Sequence, residues 1–161
     1  MMKETADEIR ALVARFQPEL KGFRDEDIRE RTDPVKWSRK EILGHLIDSA
    51  CNNQQKFVRM MQQPELSFPG YAQDDWVELQ KWASANYEEM IDLWVAYNRH
   101  IAFLIENVES RFLEHKITIE GTGPFTLGFI MPDYVEHMKH HLKQIFPDAE
   151  LENKFVNVYG A

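Results

Sequence analysis

The sequence predicts an all-α domain with four long helices, and three observations carry the prediction. Four stretches repeat their apolar residues at three and four positions, the period of an amphipathic helix. Glycine and proline number seven each, too few for a turn-rich sandwich or barrel. Ten Phe and four Trp supply a core, and a chain of this length buries roughly 70% of its unfolded surface without disulfide staples.

The first helix is expected over residues 4 to 17, where Ile9, Leu12, Val13 and Phe16 form one stripe, with Pro18 and Gly22 as its stop. Phe23 to Lys36 is charged, carries Asp33-Pro34 and reads as a loop with room for one short turn. The second helix is announced by Ser38-x-x-Glu41, a capping box in which the serine oxygen accepts from the third amide and the glutamate reaches back. Trp37 and Ile42 flank it as a hydrophobic staple. That helix runs to about Gln62 and stops before Pro64. Residues 64 to 82 form a long aromatic connection with single turns, such as Asp74 to Gln80. The third helix spans about Ser84 to Asn107, with Asn98 inside its apolar stripe. Residues 116 to 126 alternate and then turn at Gly121 and Gly123, which fits a short hairpin. Thr126 caps the last helix, about 127 to 146, and Pro132 within it predicts a kink or a later start near Met131. The tail from Asp148 carries Phe155, Val156, Val158 and Tyr159, so it is expected to dock.

Composition narrows the function classes. A net charge of −8 argues against nucleic acid, which needs a basic face. No run approaches 18 apolar residues and no apolar leader follows the first Met, so neither a membrane span nor a signal peptide is expected. A lone Cys51 forms no internal disulfide and points to a reducing, cytoplasmic setting.

The chemistry sits in Tyr134 to Leu142. His137 and His141 are four apart and share one helix face. On a helical wheel His141 falls within the buried arc and His137 at its edge. His140 points away, with Asp133 and Lys139 on the solvent side. With six His in the chain a chance pair of this spacing is common, and a lone buried His is more often a hydrogen-bonded core residue. Two inward imidazoles are harder to satisfy away from water and make half of a metal site. His45 lies at the edge of the apolar arc of the second helix, flanked by Ser49 and Asn52. It becomes a third ligand if the second and last helices pack together. Asp48, one turn on, reads as a fourth ligand, as an acceptor for an imidazole N–H, or as an ordinary exposed residue. Cys51 reads as a small core residue. His100 and His115 have no partner at ligand spacing.

Trp37-Ser38-x-x-Glu41-Ile42-Leu43-x-His45-Leu46-x-Asp48, followed 92 residues after His45 by His137-x-x-x-His141-Leu142-x-Gln144-Ile145, resembles the DinB/YfiT-like superfamily of metal-binding four-helix proteins. Pro69-Gly70-Tyr71-x-x-Asp74-Asp75-Trp76-Val77 is similar to that family's link between helices two and three. The resemblance covers about residues 5 to 146 of a single domain, 1–161, with a tail at 147–161. It implies an up-down-down-up four-helix bundle with a long crossover between helices two and three and a short hairpin before helix four, often dimeric. It implies a divalent metal, nickel or zinc first and iron or manganese after them, held by His45, His137 and His141 with water in the open positions. Family members include bacillithiol- and mycothiol-type thiol S-transferases and proteins described as metal-dependent hydrolases.

Three ligands and an open position mark a catalytic rather than a closed structural site. Such a site activates water for hydrolysis or a thiol for transfer. The expected partners are a small-molecule substrate and a low-molecular-weight thiol, and a homodimer is compatible with the apolar residues left over. Nothing in these residues chooses between the two; with the resemblance, the expectation is an S-transferase ahead of a hydrolase. The alternative is a metal-binding or stress-response bundle without turnover. Trp76, Tyr71 and Phe68 are candidate pocket walls or packing over the core. Asn98 orients a ligand or substrate, or fixes helix register. Glu136 faces outward and is not expected to act as a base.

Overall fold

The computed structural model describes residues 2–159. Its frame is four long helices, α1 (Met2–Lys21), α3 (Arg39–Gln62), α5 (Tyr87–Glu106) and α6 (Leu127–Ile145), with short helices α2 (Asp25–Arg29) and α4 (Gln73–Leu79) in the connections. Single 3₁₀ turns lie at Trp82–Ser84 and Ser110–Phe112. A three-stranded sheet completes it, β1 (Glu65–Phe68), β2 (Lys116–Ile119) and β3 (Thr122–Thr126).

The helix starts follow their caps. Ser38 Oγ accepts from the Glu41 amide while Glu41 accepts from the Ser38 amide, so both halves of the capping box form at the head of α3. Asn86 and Thr126 cap α5 and α6 by accepting from Glu89 and Phe129 amides.

The prolines behave differently from expectation. Pro18 does not stop α1, which continues to Lys21. Pro18 and Ala14, whose carbonyl loses its partner, both lie on the exposed face, and buried Leu20 holds the last turn in place. Gly22 ends the helix, its amide reaching the carbonyls of Pro18 and Glu19. Pro132 does not delay α6 to Met131. The helix begins at Leu127, because Leu127, Ile130 and Met131 are all buried and pin the first turn.

Each long helix packs against two others: α1 against α5 and α6, and α3 against α5 and α6. Of the long helices consecutive in sequence, α3 and α5 are neighbours, whereas α1 and α3, and α5 and α6, sit across the bundle from one another. Arg10 pairs with Glu106 and Lys21 with Asp92, so α1 and α5 run in opposite directions. Arg39 binds the Ile145 carbonyl and Ser49 meets His137, so α3 and α6 also run oppositely. Phe16, Phe57 and Trp94 are fully buried between them.

The sheet exceeds the predicted hairpin by one strand. β2 and β3 pair antiparallel as expected, and β1, drawn from the long connection, joins β2 in parallel. Ile117 and Ile119 turn inward onto the helices. His115 Nδ1 lies 2.6 Å from the Met60 carbonyl and ties the end of α3 to the sheet.

Candidate metal centre

Opposed packing of α3 and α6 brings His45 to His137 and His141, 92 and 96 residues away. The three Nε2 atoms form a triangle with edges of 3.1, 3.1 and 3.3 Å. His45 is fully buried, His141 is buried, and His137 is half-buried at the cavity side. These three residues could hold one metal ion.

The hydrogen bonds around the triangle fix what it can accept. His141 Nδ1 faces the Gln144 side-chain carbonyl at 2.8 Å, so Nδ1 carries the proton and donates. Gln144 Nε2 in turn lies 3.2 Å from His140 Nε2, which sets the way the amide faces. His137 Nδ1 lies 3.3 Å from Ser49 Oγ. With Nδ1 protonated on all three rings the Nε2 lone pairs would point at one another, an arrangement that a cation relieves; without one, a His45 Nε2–H can donate to His141 or His137. A proton is a poor candidate for that cation. Burial, with His141 and His140 nearby, pushes His45 down to about 3. Burial does the same to His141, to about 4, and holds His137 well below its ordinary range.

The spacing suits a metal. Zinc–nitrogen bonds of about 2.0–2.1 Å place ligand atoms about 3.0 Å apart at an octahedral corner and about 3.4 Å at a tetrahedral one. The observed edges fall within that interval. His45 Nδ1 is buried without a hydrogen-bond partner, and its ring is held instead by the Trp37 face, 4.9 Å between centroids. Gly44 beside it is required by packing: a Cβ there would lie 2.3 Å from Trp82 Cγ.

Asp48 is neither a ligand nor an acceptor for an imidazole. It is buried, and its carboxylate accepts from the Gln80 amide at 2.7 Å and the Trp82 indole at 3.1 Å. The wheel places it one turn from His45, but the turn at Trp82 reaches it first. Burial raises its pKa despite those two donors. Asn98 is fully buried, accepts from the Tyr134 hydroxyl at 2.5 Å and donates to the Trp94 carbonyl. It thus fixes α5 against α6 and lies behind the cavity wall.

The histidines open onto a cavity of about 810 Å³. Tyr71 lines it, with Trp76 packed on Tyr71 at 5.0 Å, while Phe68 is not among the lining residues. The tail docks on the site itself. Phe155 meets the His137 ring at 5.0 Å and the His140 ring at 5.5 Å. Tyr159 donates to Asp133 at 2.5 Å. Asp133 was placed on the solvent side by the wheel, and it lines the cavity because the tail folds over that face. His140 also reaches the cavity wall. Lys56 lines it as well, and the sequence reading did not single it out. Its only sequence signal is its place on the His45 face of α3.

Several comparisons bear on this arrangement. The model of the DinB superfamily matches residues 6–145. YfiT from Bacillus subtilis, described as a probable metal-dependent hydrolase with an unusual four-helix bundle topology, has a similar structure. The TM-score is 0.83 at 17% identity, over 91% of this chain and 84% of that one. No curated protein matches the sequence. No described helix is long and apolar enough to cross a membrane. With a family match that spans nearly all of the helical frame and a three-histidine cluster between α3 and α6, the chain belongs to the DinB superfamily.

Proposed function

We propose that the chain is a cytoplasmic metal-dependent enzyme acting on a small molecule, with thiol S-transfer as the reaction. The observation that carries the proposal is the triangle of Nε2 atoms, 3.1–3.3 Å on an edge, at the wall of an 810 Å³ cavity. His45, His137 and His141 would hold a divalent ion, nickel or zinc before iron or manganese, since imidazole suits all of them. Bound by three ligands with open positions, such an ion lowers the pKa of a thiol or a water that reaches it and so supplies a nucleophile at neutral pH.

The chain's own residues do the rest. Gln144 and Ser49 hold two rings in their tautomer and orientation. Tyr71 and Phe155 keep water from the cavity walls. The family's up-down-down-up connectivity belongs to the same reading and is supported by the pairs Arg10–Glu106 and Ser49–His137.

Among the described residues no carboxylate joins the histidine cluster. Asp48 is held by Gln80 and Trp82, and Glu136 accepts from Lys139 and the Lys154 amide. Beside such an ion a water, like a thiol, needs only to lose its proton, so the choice of transfer rests on the family resemblance. Hydrolysis is the second reading, favoured by the description of YfiT.

The test begins with untagged protein. Metal analysis should give about one divalent ion per chain under the three-ligand reading, lost in His45→Ala and in His137→Ala. Conjugation of electrophiles by low-molecular-weight thiols, and ester cleavage, are then measured with and without a chelator. Turnover that ignores the chelator, or metal that survives both substitutions, overturns the proposal.

A further inference from the structure

Lys56 shares the cavity with the histidines and has no part in the chemistry above. On α3 it follows His45 and Ser49 on one face, seven residues beyond Ser49 and so about 10 Å further along the axis. On α6 the matching face carries Asp133, His137 and His141 at four-residue spacing. The two helices oppose these faces. His45 meets His141, Ser49 meets His137, and Lys56 and Asp133 occupy the far end of the same cavity.

The far end holds the Lys56 ammonium near the Asp133 carboxylate, which acts on it through space without a direct ion pair among the described residues. Among the described residues the Lys56 ammonium has aromatic faces as its neighbours, Phe68 at 5.9 Å and Tyr159 at 5.8 Å, and no hydrogen bond or ion pair. Asp133 feels its charge but is occupied by the Tyr159 hydroxyl. Glu120, the other carboxylate at the cavity, is packed against Gly70. His137 feels the Lys56 charge, which helps to hold its pKa down, and neither it nor His140 offers an oxygen. A half-buried ammonium held on ring faces lacks the oxygen partner that such a group ordinarily finds.

We infer that Lys56 anchors a carboxylate of the small molecule that enters this cavity, about 10 Å along α3 from the level at which Ser49 meets His137. The inference rests on the enzyme reading above for what happens at the other end of that molecule. A carboxylate fits better than a phosphate, because one ammonium is a point charge without the fork of an arginine or a cradle of amides. The aromatic flanks of Lys56 suit an extended apolar stem between the two ends. Burial favours the same assignment, since it drives the Lys56 pKa down to about 8 and an incoming anion would restore the charged form.

The test compares 8-mercaptooctanoate with 8-mercaptooctanol, which differ only in the terminal charge. Binding to the metal-loaded full chain is measured by calorimetry. The wild type should bind the carboxylate about 10- to 100-fold more tightly, the worth of a hydrogen bond to a charged group. Lys56→Met should bind both alike, and Lys56→Arg should retain the preference. Lys56→Gln replaces the methionine variant if that fails to give a cooperative thermal transition. Equal binding of the two probes by the wild type, or an undiminished preference in Lys56→Met, overturns the inference. Octanoate against octanol is measured in His45→Ala as well. A carboxylate preference that persists there while metal is absent separates the Lys56 anchor from the metal reading.

Discussion

The two ends of the cavity are built on different principles. At the histidine end every ring is held by neighbouring side chains, Gln144 and Ser49 on two of them and Trp37 on the third. Those holders lie within, or directly before, helices α3 and α6. At the Lys56 end the wall is assembled from distant pieces: the loop at Gly70 and Tyr71, the turn at Glu120, and the tail at Tyr159, while Phe155 of the same tail reaches the His137 ring. One end is a rigid part of the helical frame. The other is a surface laid on afterwards, with a charge left open for something to fill. Loops tolerate change that packed helices do not, so substitutions at the Lys56 end should disturb the fold less than those around the histidines.

Three substitutions would break or sharpen that contrast. The largest effect is expected for Gln144→Leu. Removing the acceptor from His141 Nδ1 frees the ring and should weaken metal affinity about 10- to 100-fold, read by competition with a chromophoric chelator. A smaller effect, and one on stability, is expected for Lys56→Met. Burial lowers the folded pKa of Lys56 to about 8 from 10.5, so the folded state resists holding the charge. The penalty is in full force below pH 8 and fades as the pH rises towards 10.5. Lys56→Met should therefore stabilise the fold at pH 7, on the order of 2 kcal/mol. The gain should shrink to nothing above pH 10.5 in urea titrations. An equal gain at every pH would mean that packing, and not charge, is responsible. The smallest effect on the metal is expected for Phe155→Ala. Metal content should be unchanged, while KM for the substrate rises by a few fold through loss of an aromatic wall worth about 1 kcal/mol. A loss of metal in that variant would merge the two ends into one unit.

The same contrast separates what could be read from the residues and what could not. Ser38, Glu41 and Thr126 act on amides two or three residues away, so the heads of α3 and α6 were legible at once. His137 and His141 share a face by local geometry alone, and His45 needed only the packing of α3 on α6. The errors lie where a distant segment intervenes. Asp133 read as exposed because the wheel knows nothing of the tail that covers it. Asp48 stayed open between ligand, imidazole partner and exposed residue because nothing local announces Trp82 and Gln80. β1 is four residues between prolines, and its partner lies some fifty positions on, so no periodicity revealed it. Pro18 misled for another reason: its lost amide bond is a local cost, and burial of Leu20 outweighs it. Pro132 lies inside a helix that starts at Leu127, and only the alternative of a start near Met131 fails.

The packing of α3 on α6, with α5 between them in sequence, has a further consequence, in time. His45 is synthesised 92 residues before His137. Between them the chain must complete α5 and the sheet, and neither contributes a ligand. No shorter fragment emerging from a ribosome contains the triangle of imidazoles. The nascent chain is therefore without a metal centre until α6 has been made and has found α3. Whatever delivers the ion meets a finished bundle rather than a growing one.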